Sequence, residues 1–166
     1  PGAPQAQNGA PVARDDAVAT GEDAPNVIAP LGNDSDPDGN ALSVASVDGT
    51  GAAGSVALLP DGTIGYDPNG AFEDLAPGDT ETDSFTYRAS DGSLQSGPAT
   101  VKVTIEGAND PPEPQTSSGS ASYAEGDPPV AADPGFTVSD VDDANLAGAT
   151  ARITGGFVAN EDKLLW

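Results

Sequence analysis

Two consecutive stretches, "DSFTYRAS" (83–90) and "PATVKVTIE" (98–106), alternate apolar and polar residues with a period of two. Phe85 and Tyr87 point one way with Thr86 and Arg88 the other, and Val101, Val103 and Ile105 oppose Thr100, Lys102 and Thr104. A chain written this way must set one face of each strand in a core and the other in water. Five further runs precede them, each bounded by Gly, Pro, Asn or Asp: "VARDDAVAT" (12–20), "APNVIAP" (24–30), "ALSVASV" (41–47), "GSVALL" (54–59) and "GTIGYD" (62–67). "LPDGTI" (59–64) predicts a tight hairpin in which Asp61-Gly62 supplies the positive φ angles of a primed turn. No segment sustains a 3.6-residue period, although "GAFEDLAPGD" (70–79) has room for one helical turn. The expected fold class is therefore all-β, a seven-strand antiparallel Greek-key β-sandwich.

Past "GANDPP" (107–112) the pattern begins again. Laying "DPDGNAL" (36–42) over "DVDDANL" (140–146) matches Asp36 with Asp140, Asp38 with Asp142 and Leu42 with Leu146 without a gap. A looser counterpart of "GEDAP" (21–25) stands at "AEGDPP" (124–129). This is an internal repeat one domain long. The organisation it predicts is a linker over 1–11, a sandwich over 12–110, and over 111–166 the N-terminal part of a second, incomplete repeat, too short to bury a sandwich core alone.

Charge then narrows the chemistry. Against 27 Asp and Glu stand 5 Lys and Arg, a formal net charge of -22. Such a chain repels nucleic acid and anionic membranes, and it favours a divalent cation as partner. With no His and no Cys the usual ligands of zinc, copper and iron–sulfur centres are missing, as is the common general base for a serine nucleophile. No stretch approaches the roughly 20 apolar residues of a membrane-spanning helix. The chain thus reads as a non-enzyme that takes a hard, oxygen-liganded metal, Ca2+.

Counting strands alternately down and up places the acidic loops at two ends. The upper pole gathers Asp34, Asp36, Asp38 and Asp91; the lower gathers Glu22, beside Asp23, with Asp67, Asn109 and Asp110. Calcium needs six to eight oxygens from converging segments, which such poles offer. "DSDPDG" (34–39) alone looks like half of an EF-hand loop, but the twelfth position is Ala45 where a bidentate Glu is required. Asp, Pro and Gly are also turn residues on conformational grounds alone. The same turn chemistry accounts for five Asp-Pro bonds (36–37, 67–68, 110–111, 127–128, 133–134) without invoking self-cleavage.

The stretches "NDSDPDGNALSV", "PDGTIGYDPNGAFEDLAPGDTETDSFTYRASDG" and "TVKVTIEGANDPP" resemble the VCBS and cadherin-like repeats of large secreted bacterial adhesins and RTX-type surface proteins, over roughly residues 12 to 112. The resemblance implies a cadherin/immunoglobulin-like sandwich strung in tandem, on a secreted or bacterial cell-surface protein, as a calcium-stiffened spacer or cell-adhesion unit. In cadherins an early Glu, a mid-domain acid, an Asp-x-Asn-Asp junction and the next domain's Asp-x-Asp share calcium. The positions matching that pattern are Glu22, Asp67, Asn109 with Asp110, and Asp140 with Asp142; Glu106 is displaced by one residue from the cadherin spacing. The expectation is that Asp140 and Asp142 complete a site with the lower pole, while Asp34, Asp36 and Asp38 stand partly unfilled.

Partners follow from this: calcium, neighbouring repeats of the parent chain, and as alternatives a polysaccharide, a like module, or a secreted enzyme to which the piece is a non-catalytic appendage. Tyr66, Phe72, Phe85 and Tyr87 offer an aromatic platform for a sugar, but a domain so poor in aromatics needs them inside. For Tyr87, as for the others, core packing is the expected role, and a hydroxyl bond to a backbone group, as in a tyrosine corner, is the alternative.

Overall fold

The computed structural model describes residues 7–118, 133, 135–146 and 148. The chain divides into two units, Pro1–Pro111 and Pro112–Trp166. In the first, each of the seven runs holds a strand: β1 (Asp16–Gly21), β2 (Asn26–Ile28), β3 (Ser43–Asp48), β4 (Ser55–Leu58), β5 (Ile64–Asp67), β6 (Thr80–Ser90) and β7 (Ala99–Glu106). They form a four-stranded sheet in the order β1-β7-β6-β3 and a three-stranded sheet in the order β2-β5-β4. Between the sheets lies the core of Ile28, Val44, Ile64, Tyr66, Phe72, Phe85, Tyr87, Ala99, Val101, Val103 and Ile105. The alternation of β6 and β7 has produced the face it announced, and all four aromatics sit inside it rather than on a surface.

One pairing departs from the antiparallel expectation. β1 runs parallel to β7, with Asp16 opposite Val101 and Gly21 opposite Glu106. Alternation fixes which side chains face the core but not the direction of a neighbour, so a parallel edge strand carries the same pattern as an antiparallel one. The turn between β4 and β5 differs too. Gly62 has φ 85, whereas Asp61 is not among the residues of positive φ. Pro60 fixes the geometry of an ordinary turn closed by the Gly62 N–H on the Leu59 carbonyl (3.0 Å), and the left-handed residue comes only after it. Residues 70–79 hold single turns, not a helix, and the one 3₁₀ turn of the described residues is at Pro30–Asn33.

Two sheets must also be held at a fixed offset, and Asp83 on β6 does this. Its Oδ2 accepts hydrogen bonds from the N–H groups of Ala53 (3.1 Å) and Gly54 (2.9 Å) and from the Tyr66 hydroxyl (2.8 Å). The first two precede β4 and the third lies on β5, so one carboxylate joins both sheets. Gly54 is required there, because a Cβ would stand 2.6 Å from the Tyr66 hydroxyl oxygen and 2.8 Å from the Asp67 carbonyl oxygen.

In the second unit, β8 (Glu113–Gln115) pairs antiparallel with β9 (Thr137–Ser139). The expected counterpart of 21–25 at 124–129 lies outside the described residues.

Candidate metal centre

At the lower pole the path of the chain is set by two fastenings. Glu22 follows β1 directly; its N–H donates to the Glu106 carbonyl (3.0 Å) and its Oε1 accepts from the Ala108 N–H (2.6 Å). The exit of β7 is thereby folded across the start of the β1–β2 turn. The second fastening is Gly107, whose N–H donates to the Asp79 carbonyl (3.0 Å) and which lies so close to the carbonyls of Leu75 and Ala76 that a Cβ would overlap both oxygens. That contact pins the loop before β6. Phe72, buried in the core, anchors the same loop from within, and its neighbour Glu73 is carried to the pole.

Asp23, Glu73 and Asp110 consequently converge, with one carboxylate oxygen from each lying within 4.8 Å of the others. Glu22 stands behind them, 1% exposed, and its Oε2 is buried with no hydrogen-bond partner. Four like charges in one place leave a mark: burial, then the charges of Asp110, Asp23 and Glu22, push the Glu73 carboxyl above the ordinary glutamate range. Among the described residues the basic side chains, Arg14, Arg88 and Lys102, are not among the groups that shift Glu73. A buried carboxylate oxygen without a partner is a costly arrangement unless a cation completes it.

The remaining residues expected at this pole are differently employed. Asp67 lies at the end of β5, opposite Ser55 at the start of β4, but its Oδ1 accepts from the Asn69 N–H (2.9 Å) in a local turn. Asn109 is exposed and donates from Nδ2 to the Asp110 carbonyl (2.7 Å). Glu73 was missed in the sequence because "FED" between Gly70 and Gly78 looks like loop chemistry. The sequence signal that marks it is the buried apolar residue immediately before it.

At the upper pole the carboxylates spread out onto separate donors. Asp34 Oδ1 accepts from the Arg14 N–H (2.8 Å), and both its oxygens lie within 3.0 Å of the Tyr87 hydroxyl. That hydroxyl also lies 3.2 Å from the Arg14 carbonyl, so the ring packed in the core makes the alternative backbone contact as well. Asp36 Oδ1 accepts from the N–H groups of Asp38 (2.9 Å) and Asn40 (3.1 Å). Asp38 Oδ2 accepts from the Gly9 N–H (2.6 Å), and Asp91 from the Asn8 amide (2.7 Å), Ser93 (2.7 Å) and Leu94 (2.6 Å). These bonds to Leu94 and Ser93 hold the Asp91 carboxyl below its usual range. Among the described residues no three of these acids share a point as those of the lower pole do.

In the second unit Asp140, Asp142 and Asp143 form a separate group of three. The hydrogen bond between Asp140 and Asp142 raises the Asp140 carboxyl, as expected when two acids share a proton in the absence of a cation.

A model of the bacterial cadherin-like domain matches residues 8–107. The chain belongs to the bacterial cadherin-like domain family. The cadherin-like unit thus includes residues 8–11, which the bonds of Asn8 and Gly9 tie to its upper pole. No curated protein matches the sequence. Among solved structures, similarity is found to a nucleoside hydrolase-related hypothetical protein from Saccharophagus degradans that is associated with carbohydrate metabolism, at 21% identity and a TM-score of 0.35, over 61% of this chain and 26% of that one. The chain therefore spans about a quarter of that protein's length.

The Gly107 contact in this cadherin-like unit yields an expected result. Gly107→Ala drives a methyl group into two backbone oxygens that have no easy retreat, at a cost of about 1–3 kcal/mol. Urea melts read the loss. Parental stability in this variant would mean that the loop is not held there.

Proposed function

We infer that the chain is a calcium-binding module of a tandem-repeat extracellular adhesin, a non-catalytic spacer or adhesion unit whose metal sits at the lower pole on Glu22, Asp23, Glu73 and Asp110. The observation that carries this reading is the unpartnered, buried Oε2 of Glu22 behind three converging carboxylates. An oxygen-only donor set of high negative charge suits a hard cation, and it suits calcium over magnesium because the groups come from three chain segments with no imposed octahedron. The Greek-key connection is supported by the order β1-β7-β6-β3 against β2-β5-β4, with β1 and β2 in different sheets.

The repeat reading gains support from a local likeness. Val12 bridges Ser35 just ahead of Asp36, as Pro114 pairs with Val138 just ahead of Asp140. Both places set a Pro-rich junction segment antiparallel to the approach to an Asp-x-Asp turn.

Thermal melts in calcium and in EDTA test the function. An extracellular module binds calcium at about 10⁻⁴–10⁻³ M. At ten times that concentration the added stability is about 1.4 kcal/mol, a rise in Tm of roughly 5–10 °C for a domain of this size. Indistinguishable melts across millimolar calcium would refute the site. Because Glu73 must lose its proton to bind, affinity should fall with acid while the pH is still above the ordinary glutamate range. Titrations at pH 7.5 and about 5 compare the two states, and equal affinities would exclude Glu73 as a ligand.

A further inference from the structure

We propose that residues 8–14 form a built-in strap that closes the upper pole with peptide donors, so that this pole holds its fold without a divalent cation; the corollary, that metal dependence is confined to the lower pole, rests on the calcium reading above. The strap is fastened along its whole length. Asn8 donates to Asp91 and accepts from the Asn40 amide (2.8 Å), and the Gly9 N–H meets Asp38. Val12 and Ser35 exchange backbone bonds in both directions (2.8 and 3.1 Å). Arg14 gives its N–H to Asp34 and its guanidinium to the Asn33 carbonyl, bringing one of the first unit's three cations to its most acidic turn.

Residue 9 decides the matter. The strap begins Asn8-Gly9, and the corresponding junction at the other end begins Asn109-Asp110. Asp110 brings a carboxylate to a pole where carboxylates already converge; Gly9 brings an N–H to a carboxylate and fits only because it has no side chain. A Cβ at Gly9 would stand 2.7 Å from Pro37 Cγ and 3.3 Å from Asp38 Oδ2. Two upper oxygens, Asp16 Oδ2 and Asp36 Oδ2, lack a hydrogen-bond partner as Glu22 Oε2 does; what separates the poles is that, among the described residues, no three upper carboxylates bring an oxygen within 4.8 Å of one another as Asp23, Glu73 and Asp110 do.

Amide hydrogen exchange on the whole chain tests the strap. The Val12 and Ser35 amides should be equally protected in calcium and in EDTA, and Gly9→Ala should lower their protection about tenfold in both, the scale of one lost hydrogen bond. Native mass spectrometry in calcium should find the same number of ions on Asp36→Asn and Asp38→Asn as on the parent. Loss of Val12 and Ser35 protection on chelation, loss of an ion from either variant, or undiminished protection in Gly9→Ala would overturn the proposal. A parent chain that binds no cation at all while keeping its strap protected in EDTA refutes the lower-pole site and supports the strap.

Discussion

Asp83→Ala should destabilise the sandwich by about 3–5 kcal/mol, lowering Tm by roughly 15–30 °C. The substitution removes one acceptor and leaves the Ala53 and Gly54 N–H groups and the buried Tyr66 hydroxyl without a partner. Each unsatisfied buried donor costs about 1–3 kcal/mol, and little water reaches a residue 6% exposed. Asp83→Asn should be milder, since its amide oxygen can stand in the place of Oδ2 and still accept from Ala53, Gly54 and Tyr66, leaving its N–H groups against the Ser84 N–H alone. Burial pushes the Asp83 carboxyl up, but the bonds from Gly54, Tyr66, Ser84 and Ala53 outweigh it and hold it below 3.8. A depressed carboxyl stabilises the fold above its unfolded value and loses that contribution as the pH falls through the folded one. The parent should therefore lose stability below about pH 4, and Asp83→Ala should lack this part of the acid dependence. Urea unfolding at pH 7 and pH 3 measures both; a variant within 1 kcal/mol of the parent at pH 7, on the order of a surface change, would remove Asp83 from its place between the sheets.

Glu22→Gln should act with opposite signs in the two solutions. In EDTA the variant should melt higher than the parent, because the amide removes a buried unpaired charge and places N–H donors beside Asp23, Glu73 and Asp110. Its Oε1 still accepts from Ala108, so the chain path is kept. In calcium the parent should overtake it, with an affinity at least about a hundredfold tighter, a difference of roughly 2.7 kcal/mol. Calorimetric titration and paired melts read the crossing. Equal calcium affinity of the two chains would place the metal elsewhere.

How far the sequence could be read depended on what each residue interacts with. The strands of 83–90 and 98–106 were legible because alternation is a property of single residues in order, and burial of Phe85, Tyr87, Val101 and Val103 follows from it directly. The place of β1 beside β7 was not, because counting turns sets both strands running the same way but alternation does not say which strands are neighbours. The two acidic poles followed from counting turns, yet their internal chemistry did not. Asp36, Asp48, Asp61, Asp67 and Asp91 each accept the N–H two residues on, so five acids that look like available ligands serve their own turns. Glu73 reaches the site through Phe72 beneath it and Gly107 beside it, a contact between positions more than thirty apart that no local pattern records.

The parallel pairing of β1 with β7 has a mechanical meaning. The unit is entered at the head of one strand and left at the foot of its neighbour, so tension applied to its two ends pulls Asp16 and Glu106 in opposite senses along a common ladder. The six registered pairs from Asp16 and Val101 to Gly21 and Glu106 are loaded together in shear, where a hairpin pulled from its open end would yield one pair at a time. Glu22, bonded to both the Glu106 carbonyl and the Ala108 N–H, lies at the trailing end of that ladder, where the load first arrives. An ion held by Glu22 would act there as a brake on rupture as well as a counterion.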